Sequence, residues 1–227
     1  MRAIILAAGA GERMRPLTDT LPKPLLRAGG RSLIEWQVVR LAAAGIRELV
    51  VNHSRRGEMI EEALGDGSRL GVHIAYSPEA QALETAGGIV QALAMLGGEP
   101  FLAVSADIHT DFDYARLIPV AGAIAADPRS RAAHFVLVDN PPFHPAGDMG
   151  LADGWVTRAG PKLTYGNIAI WHPMLFADLP PGESAKLFPW AYGFVDEGRV
   201  TGEHFPGSWD NVGTPEQLEA LDRRLSP

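Results

Sequence analysis

The chain opens with an apolar run, Ala3, Ile4, Ile5, Leu6, Ala7 and Ala8, that stops at Gly9. Its length suits a buried strand better than a helix. A polar loop follows as far as Lys23. Ser32, with Glu35 three residues on, then forms a capping-box pattern that predicts a helix through Leu41 and Ala44, ending at Gly45. The pattern next predicts a strand over 46–52, a helix from about Arg56 to Leu64, and a strand over 72–76. The segment 77–88 leads into a helix running to Leu96, and FLAVSAD (101–107) is an apolar strand ending on a carboxylate. Asp111 and Asp113 precede Tyr114 and Leu117, a spacing that marks a helix start, where acids favour the dipole. Further strands are predicted over 134–140 and 164–171, then a helix over 182–199 interrupted by Pro189, then a strand beginning at Val200. Thr214-Pro215-Glu216 opens a final amphipathic helix that packs Leu218, Leu221 and Leu225.

Alternation of strand and helix through the first hundred residues implies an α/β fold, a parallel sheet with helices on both faces. Right-handed crossovers would align the strand ends, so that Gly9, Asn52, Ser77 and the residues after Val104 share one edge. Ligands of such sheets bind at that carboxyl edge. At 227 residues the chain is read as a single domain whose texture changes near Arg131.

Composition narrows the function classes. Hydrophobic residues at 46% and charged residues at 21% are ordinary for a globular protein. A net charge of −7 argues against a general nucleic-acid binder. No apolar run reaches the roughly 20 residues a membrane-spanning helix needs, and the first strand leads into its loop without a secretory cleavage pattern. With no cysteine, disulfides and thiolate catalysis are excluded. The expectation is a cytoplasmic protein with neither nucleic acid nor membrane as partner. Nothing in the pattern speaks to oligomeric state.

The loop after the first strand carries the chemistry. Gly9 and Gly11 clear the backbone for an anion-binding nest, while Arg13, Arg15 and Lys23 supply positive charge. Pro22 and Pro24 stiffen the chain around Lys23. The dinucleotide fingerprint fails because Met14 stands where its third glycine belongs, and no Gly-Lys-Ser or Gly-Lys-Thr P-loop is present. At the same edge, Glu79 could accept a hydrogen bond from a ring N–H of uracil or guanine, or could be a solvated loop acid. Gly87 and Gly88 would leave room for base or ribose. Asp107, at the tip of a buried strand, suits a hard cation such as Mg²⁺. His134, His144 and His172 lack metal-ligand spacing and read as structural or exposed.

LAAGAGERMRPLT, then PKPLL and LIEW, resemble the N-terminal motif of the sugar-1-phosphate nucleotidyltransferases. The resemblance continues through ETAGG, VDNP, YGNIAI and WDNVGTPEQL, and is greatest to the N-acetylmuramate-1-phosphate uridylyltransferases. It implies a three-layer, Rossmann-like mixed sheet, mainly parallel, with a nucleotide-binding half over about 1–130 and a sugar-binding half over about 131–227. It also implies nucleotide contacts from Ala8, Gly9, Gly11, Glu12, Arg13 and Lys23, with Arg13 on the leaving pyrophosphate and Lys23 between the α-phosphate and the incoming sugar phosphate. Asn140 and Asn167 would meet sugar hydroxyls or an N-acetyl group, although either could be a turn residue. Mg²⁺ is the implied cofactor. The chain departs from the pattern at its second metal position, where Asn211 stands in place of the family's aspartate. Asn211 is the favoured ligand. Asp210, one residue earlier, could replace it only if the strand slipped by one, which would turn it the other way.

The implied substrates are an NTP and a sugar 1-phosphate. The implied reaction transfers UMP from UTP to N-acetylmuramate 1-phosphate and releases pyrophosphate, as in peptidoglycan recycling. The sugar phosphate is already anionic, with a second pKa of about 6, so no general base is required. Guanylyl, thymidylyl or cytidylyl transfer to another sugar phosphate or to phosphocholine is the alternative within the class. A non-catalytic nucleotide-sugar sensor is the alternative outside it.

Overall fold

The computed structural model describes residues 1–226. The strands are β1 (Arg2–Leu6), β2 (Arg27–Ala28), β3 (Arg31–Ser32), β4 (Glu48–His53), β5 (His73–Pro78), β6 (Phe101–Ser105), β7 (Ile108–Thr110), β8 (Ala133–Val138), β9 (Gly150–Ala152), β10 (Trp155–Thr157), β11 (Thr164–Trp171), β12 (Val200–Phe205) and β13 (Trp209–Asn211). The α-helices are α1 (Leu33–Ala43), α2 (Gly57–Leu64), α3 (Glu84–Leu96), α4 (Leu117–Ala126), α5 (Tyr192–Asp196) and α6 (Pro215–Leu225).

Nine strands form one mixed sheet in the order β5-β4-β1-β6-β11-β8-β12-β10-β9. The first four are mutually parallel, β11 is antiparallel to both β6 and β8, and β12 is again parallel to β8. Strands drawn from both ends of the chain therefore share one continuous ladder.

Side-chain alternation along β1 divides the core. Ala3 and Ile5 face a cluster completed by α1, α2 and α4, whereas Ile4 faces a second cluster with α3 and α5. All three residues are fully buried, each isoleucine contributing about 1.5–3 kcal/mol. These are the outer layers of an α/β sandwich. A third, smaller cluster joins Met14 and Leu33 to Val212, Leu218 and Leu221, tying the loop after β1 to α6. This explains the residue that breaks the dinucleotide fingerprint. Met14 is an anchor buried in protein, where a glycine would leave a hole.

The predicted caps form. The Ser32 hydroxyl accepts from the Glu35 N–H while the Glu35 carboxylate accepts from the Ser32 N–H, and the Thr214 hydroxyl accepts from Gln217. Asp113 caps a single helical turn just ahead of α4. The expected helix over 182–199 is a correction, since only Tyr192–Asp196 is α-helical. Leu187, Phe188, Ala191 and Val195 do fall at helical spacing and pack into the second cluster, but the Ala185 backbone is drawn off to Leu83, Ala86 and Gly87 and Pro189 interrupts the run, so the helix is confined to its last turns. Among the described residues no helix is long and apolar enough to cross a membrane.

Candidate functional site

The parallel register sets Ser77, Asn52, Leu6 and Ser105 in one row across β5, β4, β1 and β6. Immediately beyond this row lies a cleft of about 600 Å³. Its lining takes Ala8, Gly9, Gly11, Glu12, Arg13 and Lys23 from the loop after β1, and Asp107 from the turn after β6. Those seven predicted residues are thus brought together.

The loop holds its shape by close contacts. Gly11 has φ +65°, and a Cβ there would lie 3.1 Å from both Lys23 Cβ and Thr18 Cγ2, so glycine serves the turn and the near approach of Lys23 at once. The Thr18 hydroxyl donates to the Gly11 carbonyl at 2.9 Å. A Cβ on Gly9, in contrast, would meet nothing within 4 Å, which leaves its backbone open to a ligand. Arg13 lies alongside Gly213 at the start of α6, where an added Cβ would come within 3.2 Å of its guanidinium. Arg15 faces outward instead and pairs with Asp19 at 3.5 Å.

Lys23 and Asp107 form an ion pair, with the lysine side chain 12% exposed and the aspartate 29%. Beside them, β13 runs antiparallel to β7, setting Asn211 opposite Ile108, and the Val212 N–H donates to the Asp107 carbonyl at 2.9 Å. The Asn211 Oδ1 is buried without a hydrogen-bond partner among the described residues. A buried orphan carbonyl oxygen is costly unless something binds it. An amide oxygen and the Asp107 carboxylate are both hard donors of the kind a small divalent cation takes, although Asp107 lines the cleft and Asn211 does not. Asp210 points the other way, as alternation requires, and both its oxygens are held by Arg224 of α6. It is corrected from a candidate ligand to a helix tether.

Four other expectations are redrawn. Glu79 is 5% exposed, and its two carboxylate oxygens accept from Asn52 Nδ2 at 2.6 Å and from the Leu83 N–H at 2.8 Å, which leaves neither aimed at the cleft. Burial pushes its pKa up, against those two bonds, which pull it down. Asn52 in turn accepts from the Ala7 N–H at 2.8 Å, so the pair braces the entry to the phosphate loop. Gly88 makes room for this pair rather than for a base, since its Cβ would stand 2.6 Å from both Asn52 Nδ2 and Glu79 Oε1. Gly87 is needed because the Glu183 carbonyl would be 2.4 Å from its Cβ. Asn140 donates to the Lys162 carbonyl at 2.9 Å and accepts from the Thr164 hydroxyl at 2.9 Å, which fixes a turn.

Asn167 does line a cavity. It lies at a bulge between β11 and β8 with φ +56°, in a second recess of about 370 Å³ that shares Leu6, Glu84, Thr85 and Ser105 with the cleft. Sequence reasoning missed Glu84 and Lys186 there. Glu84 has φ +60°, a strained conformation for a side-chain-bearing residue and characteristic of functional sites. No sequence pattern announces such an angle.

Residues 2–143 match the family model described as nucleotidyl transferase. The chain is 49% identical over 219 residues to the N-acetylmuramate alpha-1-phosphate uridylyltransferase of Neisseria meningitidis serogroup B, covering 94% of each. It is 37% identical to the protein of the same name from Caulobacter vibrioides, covering 99% of this chain and 96% of that one. Among solved structures it resembles a putative glucose-1-phosphate thymidylyltransferase from Bacillus anthracis, with a TM-score of 0.84, 19% identity, and coverage of 99% and 95%. That likeness extends to the fold alone.

Proposed function

Because the chain belongs to the nucleotidyl transferase family, we propose that it transfers UMP from UTP to N-acetylmuramate 1-phosphate, releasing pyrophosphate and forming the nucleotide sugar. The observation that carries this reading is the meeting of two unlike walls at one cleft. A glycine loop with Arg13 and Lys23 stands on one side, and Asp107 on the other, with Asn211 brought up behind it by the β7–β13 ladder. The names of two relatives matched over nearly their whole length supply the base and the sugar.

Asp107 and Asn211 would hold Mg²⁺, which when bound neutralises phosphate oxygens. The rest is work for the chain's own groups. Backbone N–H groups around Gly9 receive the phosphates, and Arg13 draws off charge as pyrophosphate leaves. Lys23, exchanging its Asp107 partner for phosphate oxygens, holds the two reacting anions at one point despite their repulsion. The acceptor phosphate brings its own nucleophilic oxygen, so no side chain needs to remove a proton. The reading places the protein in the cytoplasm, where UTP is available.

Pyrophosphate release measured for each of the four NTPs, against N-acetylmuramate, N-acetylglucosamine, mannose and glucose 1-phosphates, tests it. The highest kcat/KM is expected for UTP with N-acetylmuramate 1-phosphate. A tenfold preference for any other pair overturns the assignment, and no release with any pair at millimolar Mg²⁺ identifies a binding protein instead.

A further inference from the structure

The second recess contains one basic residue in its lining, Lys186, and one acidic residue, Glu84. No carboxylate among the described residues forms an ion pair with Lys186. The side chain is exposed, yet its backbone is held on both sides. The Ala185 N–H donates to the Leu83 carbonyl at 2.9 Å, and the Ala185 carbonyl accepts from Ala86 at 3.0 Å and Gly87 at 3.1 Å. On the other side Leu187 is 7% exposed, with its carbonyl accepting from Ala191 at 2.8 Å. A rigid segment thus presents an unpaired ammonium to a cavity.

Position decides which charge that ammonium would meet. The acceptor's phosphate must reach the α-phosphorus in the cleft lined by Lys23, so it stands at the shared rim of Leu6, Thr85 and Ser105. The sugar ring then extends into the recess, away from Lys23. Lys186 lines the recess and not the cleft, which puts it beside the sugar rather than the reacting phosphate. N-acetylmuramate carries one charge on its ring substituents, the carboxylate of the lactyl ether at O3. Without Lys186, the only charge lining the recess would be that of Glu84, which repels such a group.

We propose that Lys186 is the specificity residue for an acidic acceptor sugar, its ammonium pairing with the carboxylate of the lactyl substituent. The inference rests on the acceptor proposed above. It explains how a recess whose other polar side chains, Thr85, Ser105, Tyr165 and Asn167, are uncharged or, in Glu84, acidic could distinguish N-acetylmuramate from an uncharged sugar of the same ring.

The test compares wild type, Lys186→Met and Lys186→Arg on N-acetylmuramate 1-phosphate and on its lactyl carboxamide, which keeps the shape and removes the charge. Wild type should favour the carboxylate by about tenfold, as for a charge-assisted hydrogen bond in a partly solvated site. Lys186→Met should lose that preference while using the carboxamide within about twofold of wild type, and Lys186→Arg should keep it. Equal loss on both acceptors, with an unchanged Tm, overturns the inference and leaves the function reading standing. Failure of wild type to use either acceptor overturns both.

Discussion

Val212 donates its backbone N–H to the carbonyl oxygen of Asp107 at 2.9 Å. That bond and the short β7–β13 ladder bring Asn211, from near the C-terminus, to the strand-tip aspartate. The backbone that carries the orphan Oδ1 of Asn211 is therefore fixed by hydrogen bonds on both sides of the residue. Asn211→Ala should lower kcat/KM by about 10- to 100-fold, within the range for groups that support a metal site. Asn211→Asp should add a negative charge beside Asp107 and reduce the Mg²⁺ concentration for half-maximal pyrophosphate release. Identical Mg²⁺ titrations for wild type and both variants would remove Asn211 from the site.

Asp210 makes the neighbouring control. Its carboxylate is taken up by Arg224 on a partly exposed surface, where such pairs contribute about 0–1 kcal/mol. Asp210→Ala should leave the Mg²⁺ titration unmoved and kcat within about twofold, since its oxygens face away from Asp107. A shift comparable to that of Asn211→Ala would show that the strand register had been misjudged.

Lys23 is paired with Asp107 at the wall of the cleft. Lys23→Ala should cut kcat by about 10²-fold or more, the loss expected for one preorganised donor at developing charge. Near-wild-type turnover in that variant, measured with saturating UTP, would rule out the proposed bridging role.

The glycines separate two uses that a sequence writes identically. Gly9→Ala meets no atom within 4 Å, so Tm should change little, while KM for UTP rises as the new methyl group obstructs the phosphates. Gly87→Ala would force a Cβ to 2.4 Å from the Glu183 carbonyl, a backbone atom that cannot swing aside, and should cost about 1–3 kcal/mol by denaturant unfolding. If both variants lost stability equally, the distinction would fail.

That contrast shows what was legible beforehand. The Gly9–Lys23 loop, the strand-tip Asp107, the Ser32–Glu35 capping box and the Thr214 cap are local signals, carried by residues a few positions apart. The roles of Gly87, Gly88, Glu79 and Asn140 depend on partners at Glu183, Asn52 and Lys162, and composition near each residue cannot reveal them. Glycine marks a close approach without saying whether ligand or backbone approaches. Lys186 stayed hidden for the same reason, since it lies in a stretch that reads as helix but is pinned as a loop against α3.

Glu79 yields a pH dependence with a definite sign. Its folded pKa lies above the ordinary glutamate value because burial disfavours the carboxylate. The folded state thus binds the proton more tightly than the unfolded chain. The resulting stability is fully present below the unfolded pKa of 4.5 and is given up as pH rises through the higher folded value. Glu79→Gln cannot titrate, and its amide group would face one of the two N–H donors now served by carboxylate oxygens. The unfolding free energy of wild type relative to Glu79→Gln should therefore be highest below pH 4.5 and fall as pH climbs through the folded pKa. Urea unfolding of both proteins across pH 3.5 to 8 reads this difference directly, cancelling the titrations they share. A gap that stayed constant, or widened with pH, would mean that the Asn52 and Leu83 bonds outweigh burial at this carboxylate.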